Sequence, residues 1–211
     1  MNTTPEHAST EKTRKPNRRG VAARQQLMAT AVRLLGEGRP DAVSINLVAK
    51  EAGLSWGSVQ NLYGDSDGFW STVVENIIER GSELWAEPVS DDVAGRLAEV
   101  AALYSGVLAS PYGIAVQTLR TGLPRPRSVL AETLPKTAAA LTRVEEMWEE
   151  AFLAFFEGLD TTYDHERVLD AAAVMSSTLR GLRADQVFGT AVDVERAQRS
   201  LVAMLTAYLE G

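Results

Sequence analysis

The chain has 211 residues, of which 45% are apolar and 23% are charged, a composition typical of globular proteins that bury a core. The absence of cysteine excludes disulfides and thiolate metal ligands, and no apolar run approaches the roughly 20 residues that cross a membrane. Because the N-terminus also lacks the apolar segment of a secretory signal, we expect a cytoplasmic protein with no membrane role.

The formal charge of -7 is distributed unevenly along the chain. Residues 12–50 carry nine basic and two acidic residues, a local charge of +7, whereas residues 68–211 carry a net charge of -9. This asymmetry indicates a nucleic-acid-binding end and an acidic body that does not contact phosphate, although a solvated basic tail gives the same composition. Residues 1–19 are rich in Thr, Ser, Pro, Lys and Arg, which predicts a disordered basic arm.

Apolar residues recur at intervals of three and four along most of the chain after Val21, and this spacing predicts an all-α fold. No run of alternating β-branched residues predicts a strand. Pro135 marks a start, kink or break within one long helical segment. The predicted helices span residues 21 to 35, 45 to 52, 56 to 63, 69 to 85, 90 or 91 to 109, 111 to 122, 128 to 158, 164 to 188 and 193 to 209. Their predicted N-caps include Ser44, Ser55, Asp164 and Asp193.

The segment 44–63, SINLVAKEAGLSWGSVQNLY, predicts two short helices packed across a tight turn. Ala49 supplies a small residue where the helices cross, and Gly53 can adopt the left-handed conformation that ends the first of them. The apolar positions expected to clamp the pair are Val48, Ala52, Leu54, Val59 and Leu62. This combination is typical of a DNA-binding helix-turn-helix, with an ordinary helical hairpin as the alternative.

The stretch from Arg24 to Phe69 resembles the N-terminal domain of the TetR family of transcriptional regulators. The resemblance rests on Leu27-Met28, Ala31, Leu34-Leu35, Ser44, Val48-Ala49, Ala52-Gly53-Leu54-Ser55, Gly57-Ser58-Val59, Tyr63 and the entrance to the fourth helix at residues 65–69. Beyond this stretch, only the total length, the helical character and two long C-terminal helices agree. The resemblance implies a helix-turn-helix domain at residues 20–66, whose third helix enters the major groove, and a ligand-binding and dimerisation domain at residues 67–211.

Two positions depart from the family pattern. Gln60 stands where the family usually has a tyrosine that contacts a phosphate, and Ser66 stands where it often has a lysine. Both changes should weaken contacts to the DNA backbone, which carry much of the affinity. Arg18 and Arg19 of the arm are expected to compensate by reaching an adjacent minor groove, unless the arm is only solvated.

The side chains around the third helix suggest separate roles in DNA binding. The amides of Gln60 and Asn61 suit base edges, adenine especially. The hydroxyl groups of Ser44, Ser55, Ser58 and Tyr63 suit phosphate oxygens. Lys50 faces either the DNA backbone or water. The expected DNA-binding residues are Arg18, Arg19, Ser44, Lys50, Ser55, Trp56, Gly57, Ser58, Gln60, Asn61 and Tyr63.

The helices after residue 67 are predicted to form a homodimer interface and a ligand pocket. Apolar and small residues at helical spacing in segments 168–187 and 194–209 favour an intermolecular four-helix bundle, although the same spacing fits packing within one chain. A pocket for a small effector should be mostly apolar with a few directing polar groups, and its aromatic candidates suit a core equally well. The candidate pocket residues are Tyr104, Tyr112, Gln117, Arg120, Trp148, Phe152, Phe155, Met175 and Arg180.

These features favour a repressor that binds a palindromic operator in double-stranded DNA and is released by a small, largely hydrophobic ligand. An enzyme is disfavoured because the chain has no cysteine, only His7 and His165 as imidazoles, and no glycine-rich phosphate loop. We expect no metal and no cofactor. The remaining alternative is a helical adaptor that binds protein through the hairpin and has no DNA role. Repression and activation are not distinguished.

Overall fold

The computed structural model describes residues 18–82, 86–159 and 163–211. Within these ranges the chain forms ten α-helices, one 3-10 helix and no strand, so the all-α prediction is confirmed. The helices are α1 (Arg18–Gly36), the 3-10 helix (Pro40–Ala42), α2 (Ile45–Glu51), α3 (Trp56–Tyr63), α4 (Ser66–Ser82), α5 (Val93–Ala109), α6 (Pro111–Gly122), α7 (Arg127–Thr133), α8 (Pro135–Ala154), α9 (His165–Phe188) and α10 (Val194–Glu210). Among them no single helix has the length and apolar composition of a membrane span. Helices α5 and α6 have that length and composition only when they are counted together, and they are bent by 68° relative to each other.

Helix α1 begins at Arg18, earlier than the predicted start at Val21. The prediction of disorder is therefore wrong for Arg18 and Arg19, which are helical. Both are exposed, and the buried face of the helix begins only at Leu27. The rest of the predicted arm, residues 1–17, lies outside the described residues, as does the predicted end of α4 at Trp85.

The segment predicted as one helix over 128–158 is divided into α7 and α8. Leu134 separates them with φ -139° and ψ 65°, outside the helical region, and Pro135 occupies the first turn of α8. Proline suits that position because its missing N–H would have no helical acceptor there. The four predicted caps are confirmed, since their side chains each accept a hydrogen bond from a backbone N–H three residues later: Ser44, Ser55, Asp164 and Asp193.

The buried residues form two apolar clusters. The first joins α1 to α4 with α6, α7 and the start of α8, and the second joins α5, the end of α8, α9 and α10. Helix α6 lies close to the N-terminal helices, because a Cβ on Gly122 would come within 2.4 Å of the Val43 side chain and a Cβ on Gly36 within 3.1 Å of the Pro111 carbonyl. The N-terminal helices therefore share their core with the body.

A buried carboxylate joins α4 to α8. The Asp67 side chain, in the first turn of α4, accepts hydrogen bonds from the backbone N–H of Lys136 at 3.0 Å and of Thr137 at 2.8 Å. The Thr137 hydroxyl donates to the same carboxylate at 2.8 Å. Because Leu134 offers no side-chain cap, Asp67 takes over the capping of α8 from a distant part of the chain. Burial would raise the pKa of Asp67, but these hydrogen bonds outweigh it and hold the pKa below its usual value.

We expect the substitution Asp67→Asn to lower the free energy of unfolding by about 1–3 kcal/mol at neutral pH, because it replaces charge-assisted hydrogen bonds and turns an amide donor toward backbone donors. A depressed pKa stabilises the fold above the ordinary value of 3.8, and this contribution is lost as the pH falls through the folded-state value. The difference between wild type and variant should therefore shrink in acid.

Urea unfolding between neutral pH and pH 3 measures this difference. Asp91→Asn removes the same charge from an exposed position and serves as the control. Equal stabilities for wild type and Asp67→Asn at neutral pH, or a difference that does not depend on pH, would contradict the role of this carboxylate.

Candidate nucleic-acid interface

Helices α2 and α3 form a compact pair with a turn at Gly53. The φ of Gly53 is +66°, a left-handed value that glycine adopts without strain, and the Leu54 N–H donates to the Ala49 carbonyl at 2.8 Å to close the turn. Ala49 is buried at the crossing, and Val48 and Val59 are fully buried between the pair and α1 and α4. The apolar inner face fixes which residues of α3 point outward.

The outward face of α3 carries neutral groups that form hydrogen bonds. Gly57, Gln60 and Asn61 are exposed, and so is 38% of Trp56 at the start of the helix. No charged residue occurs between Trp56 and Tyr63. This surface suits recognition of base edges better than attraction of phosphate, because phosphate contacts draw mainly on Lys and Arg.

Serine hydroxyls surround the N-terminus of α3. Ser55 Oγ accepts from the Ser58 N–H at 3.3 Å and lies 3.1 Å from Ser58 Oγ. One of the two hydroxyl protons lies between these oxygens, so the other remains to donate to an external acceptor such as phosphate. Ser44 caps α2 in the same way, through the Leu47 N–H at 3.4 Å, and is half-buried.

Tyr63 is engaged within the protein. Its hydroxyl donates to the Arg24 carbonyl at 3.4 Å, and the Arg24 guanidinium lies 5.6 Å from the centre of its ring. Arg24 also donates to the Leu62 carbonyl at 2.8 Å, which fastens α1 to the end of α3. Burial raises the pKa of Tyr63. The hydroxyl proton therefore reaches a phosphate only if this long bond is given up.

Arg24 is a residue of this surface that the sequence reasoning missed. The sequence does contain a signal for it, because Arg24 stands at a position in the apolar series of α1. A cation at such a position needs an aromatic or carbonyl partner. Its guanidinium remains exposed beside the end of α3. Arg18 and Arg19 lie on the same helix, and the helical rise places them about 8–9 Å further along its axis.

The other cations of the N-terminal region differ in their partners. Arg33 pairs with Glu37 at 2.7 Å, and Arg39 pairs with Asp41 at 2.6 Å, so the local positive charge is smaller than the composition indicates. Lys50 is exposed near the end of α2, and within the described ranges no carboxylate forms an ion pair with it. Lys50 is therefore well placed to attract an external anion.

A cavity lies in the body, between α4, α5, α6, α8 and α9. Its volume is about 90 Å³, and its lining is mostly apolar. It brings together six of the predicted pocket residues: Tyr104, Tyr112, Gln117, Arg120, Trp148 and Arg180. Phe152, Phe155 and Met175 do not line it, because their side chains turn into the second apolar cluster.

Across the described ranges, no group of three His, Asp or Glu side chains is arranged to hold a metal ion.

Two solved structures resemble this fold over most of its length. A tetR-family transcriptional regulator from Streptomyces coelicolor superposes with a TM-score of 0.65 and 21% sequence identity, covering 89% of this chain and 80% of that one. A transcriptional regulator from Rhodococcus sp. Rha1 superposes with a TM-score of 0.61 and 20% identity, covering 87% of this chain and 96% of that one. This chain has the TetR-regulator fold. No protein-family model and no curated protein sequence matches it.

The TetR-regulator fold agrees with the architecture that the sequence resemblance implied, with α1 to α3 as the N-terminal three-helix unit. In this fold the structure groups most of the expected DNA-binding residues on α2 and α3, and places Arg18 and Arg19 apart from them at the start of α1. Of the two departures from the family pattern, Gln60 is exposed on α3, and Ser66 is the half-buried first residue of α4.

The cap of α3 is the most accessible part of this arrangement to test. Ser55→Ala should lower the free energy of unfolding by about 1 kcal/mol, because the Ser58 N–H loses its side-chain acceptor and keeps only the Ser55 carbonyl at 3.0 Å. Ser58→Ala removes only the contact between the two hydroxyls and introduces a better helix former, so its effect should stay within about 0.5 kcal/mol. Urea unfolding of both variants measures this, and equal effects would mean that Ser55 does not cap the helix.

Proposed function

We propose that the chain is a sequence-specific DNA-binding transcriptional regulator, with a reader domain at residues 20–66 and a ligand-binding and dimerisation domain at residues 67–211. The observation that carries the proposal is the outward face of α3, where exposed amides stand on a helix held by a buried inner face. The fold shared with two transcriptional regulators supports it. In this scheme α3 enters the major groove.

Each group on this surface has a chemical role in the proposal. Gln60 and Asn61 contact base edges, and the Trp56 ring packs against a thymine methyl group. Gly57 has no side chain, so the backbone of α3 can approach the DNA closely. The phosphate contacts come from the cations Arg18, Arg19, Arg24 and Lys50 and from the hydroxyls of Ser44, Ser55 and Ser58. Tyr63 holds the Arg24 guanidinium against its ring, and its hydroxyl contacts the DNA backbone once it releases the Arg24 carbonyl.

Selection of bound sequences from a random duplex library tests the proposal without a known operator. We expect enrichment of a site with two-fold symmetry. On that site, Gln60→Ala should lose about tenfold or more of the discrimination at one symmetry-related base pair. Lys50→Gln should weaken selected and scrambled DNA alike and reduce the dependence of log affinity on log salt by about one phosphate contact.

Arg143→Gln is the matched control, since it removes one exposed cation from α8 in the body and should not change either quantity. Binding that shows no sequence enrichment and little dependence on salt would contradict the proposal and favour the helical adaptor. An exchange of the two effects between Gln60→Ala and Lys50→Gln would reverse their assigned roles.

We further propose that the regulator binds DNA as a homodimer through α9 and α10. Part of the predicted bundle face packs within the chain, because Leu201, Leu205 and Leu209 of α10 are buried in the second cluster. A different stripe remains exposed at helical spacing. It contains Ala173, Val174, Ser177, Gly181 and Ala184 on α9, with Ala203, Met204 and Ala207 on α10. Such small residues allow two helices of a partner copy to approach closely.

Gly181→Glu combined with Met204→Glu should convert the dimer to a monomer, because four carboxylates would face each other across the interface. A Cβ at Gly181 meets no atom within 4 Å and Met204 is 63% exposed, so the isolated chain should tolerate both changes. Sedimentation measures the mass, and far-UV circular dichroism checks that the helices remain. Ala139→Glu on α8 is the control. A wild-type monomer, or a dimeric double variant, would contradict this interface.

Release by a ligand follows from how the cavity helices contact the reader. Helix α6, which lines the cavity, packs along α1, and α8, which also lines it, is capped by Asp67 next to α3. A ligand that prefers another arrangement of α6 and α8 therefore shifts the population away from the conformation that binds DNA. In this scheme the regulator represses when it is free of ligand.

A further inference from the structure

Two guanidinium groups reach the same end of the body cavity. Arg120 of α6 and Arg180 of α9 both line it, together with Gln117 and the Tyr104 hydroxyl. Arg180 Nη1 donates to Tyr104 Oη at 3.2 Å, which turns the guanidinium toward the cavity wall. Arg120 is largely buried, and burial lowers its pKa. Apart from these groups the lining is apolar, so the cavity has one cationic end and one apolar end.

The cationic end carries more positive than negative charge. Arg120 pairs with Glu145 at 3.0 Å, but the second oxygen of that carboxylate pairs with Arg127 at 2.9 Å. In the described part of the chain, Arg180 donates to two hydroxyls, Tyr104 Oη and Ser177 Oγ, and forms no ion pair. Arg120 and Arg127 therefore share one carboxylate, and Arg180 has no carboxylate partner in the described ranges. This end of the cavity therefore has an excess of positive charge that an external anion can balance.

A surface groove gives access to this end. The groove has a volume of about 530 Å³ and lies along the end of α1, α6 and α9. It shares Leu108, Gly113, Gln117 and Arg180 with the cavity, so these residues lie at the boundary between the two spaces. The cavity alone is smaller than the roughly 150 Å³ that encloses benzene, and a larger ligand must therefore occupy part of the groove or widen the cavity.

We propose that this cavity binds an organic carboxylate, with its head between Arg120 and Arg180 and its apolar body against the side chains of α4, α5 and α8. The planar fork of arginine matches a carboxylate through paired hydrogen bonds, and Gln117 supplies a further amide donor at the boundary. The apolar body lies against Ile77, Val107, Val144, Met147 and Trp148. The inference rests on the proposed function, because it names the chemical class of the effector.

Isothermal titration calorimetry of the full chain without DNA tests the class directly. Two acids of different shape, octanoate and naphthalene-2-carboxylate, are compared with their neutral amides, octanamide and naphthalene-2-carboxamide. We expect at least one acid to bind, and to bind about tenfold or more tighter than its amide, because only the acid forms charge-assisted hydrogen bonds. Amides that bind as tightly as the acids, or acids that do not bind, would overturn the proposal.

Arg180→Gln is the decisive variant, because the partners of Arg180 are neutral hydroxyls and its removal leaves no carboxylate unpaired. It should lower the affinity for the acid about tenfold or more, and leave any amide binding within a few-fold. Arg120→Gln should act in the same direction, while Glu145 keeps its pairing with Arg127. Arg143→Gln on α8 removes an equal charge away from the cavity and is the control. Unchanged acid affinity in Arg180→Gln would overturn the assignment.

The calorimetric result is independent of DNA binding, so the two proposals can fail separately. Acid binding by a chain that enriches no DNA sequence would retain the carboxylate site and reject the regulator. Enrichment of a symmetric DNA site by a chain that binds neither acid would retain the regulator and reject the carboxylate site. When both hold, the acid should weaken DNA binding by wild type, and Arg180→Gln should require about tenfold or more acid for the same effect.

Discussion

The carboxylate of Asp67, which joins α4 to the start of α8, is the constraint on which the placement of the neighbouring α3 depends. It lies one turn after α3 in sequence, yet all of its strongest hydrogen bonds come from the start of α8. A buried carboxylate that lost these donors would be left with an uncompensated charge, so α4 and α8 separate only if water enters or the group is protonated. Because Tyr63 of α3 packs against Phe69 of α4, this contact outside the helix-turn-helix also holds α3 relative to α8. The packing of α6 along α1 is a second contact of this kind.

The positive charges near α3 lie on the neighbouring helices and not on α3 itself. The proposed recognition helix is neutral, and the cations nearest to it lie on α1 and α2. In the proposed function, attraction to DNA and discrimination between bases thus depend on different elements, and a change in the angle between α1 and α3 would weaken both at once. Arg24 resists that change, because it binds the end of α3 through the Leu62 carbonyl and the Tyr63 ring.

Local features were predictable from the sequence, and contacts between distant segments were not. Ser55 and Gly53 act on groups within a few residues, so their roles as cap and turn follow from short-range rules. Asp67 has the ordinary position of a first-turn acid, and nothing in the sequence connects it with Thr137, 70 residues later. Trp148 and Phe152 show the same limit within one helix, because one lines the cavity and the other is fully buried in the core, a difference set by the rotation of α8 against its neighbours.

The size of the cavity bears on how a ligand would act. Pockets for small effectors usually measure about 300–1,000 Å³, several times the volume enclosed here. Under the proposed mechanism, a ligand larger than this volume extends into the adjoining groove or moves α6 or α8 away from the cavity. Those two helices are the ones that contact α1 and cap onto Asp67. A carboxylate drawn in by Arg120 and Arg180 would use its charge–charge attraction to widen the cavity, and the same displacement would move the reader helices. In this scheme, ligand binding and the loss of affinity for DNA both follow from the same conformational equilibrium.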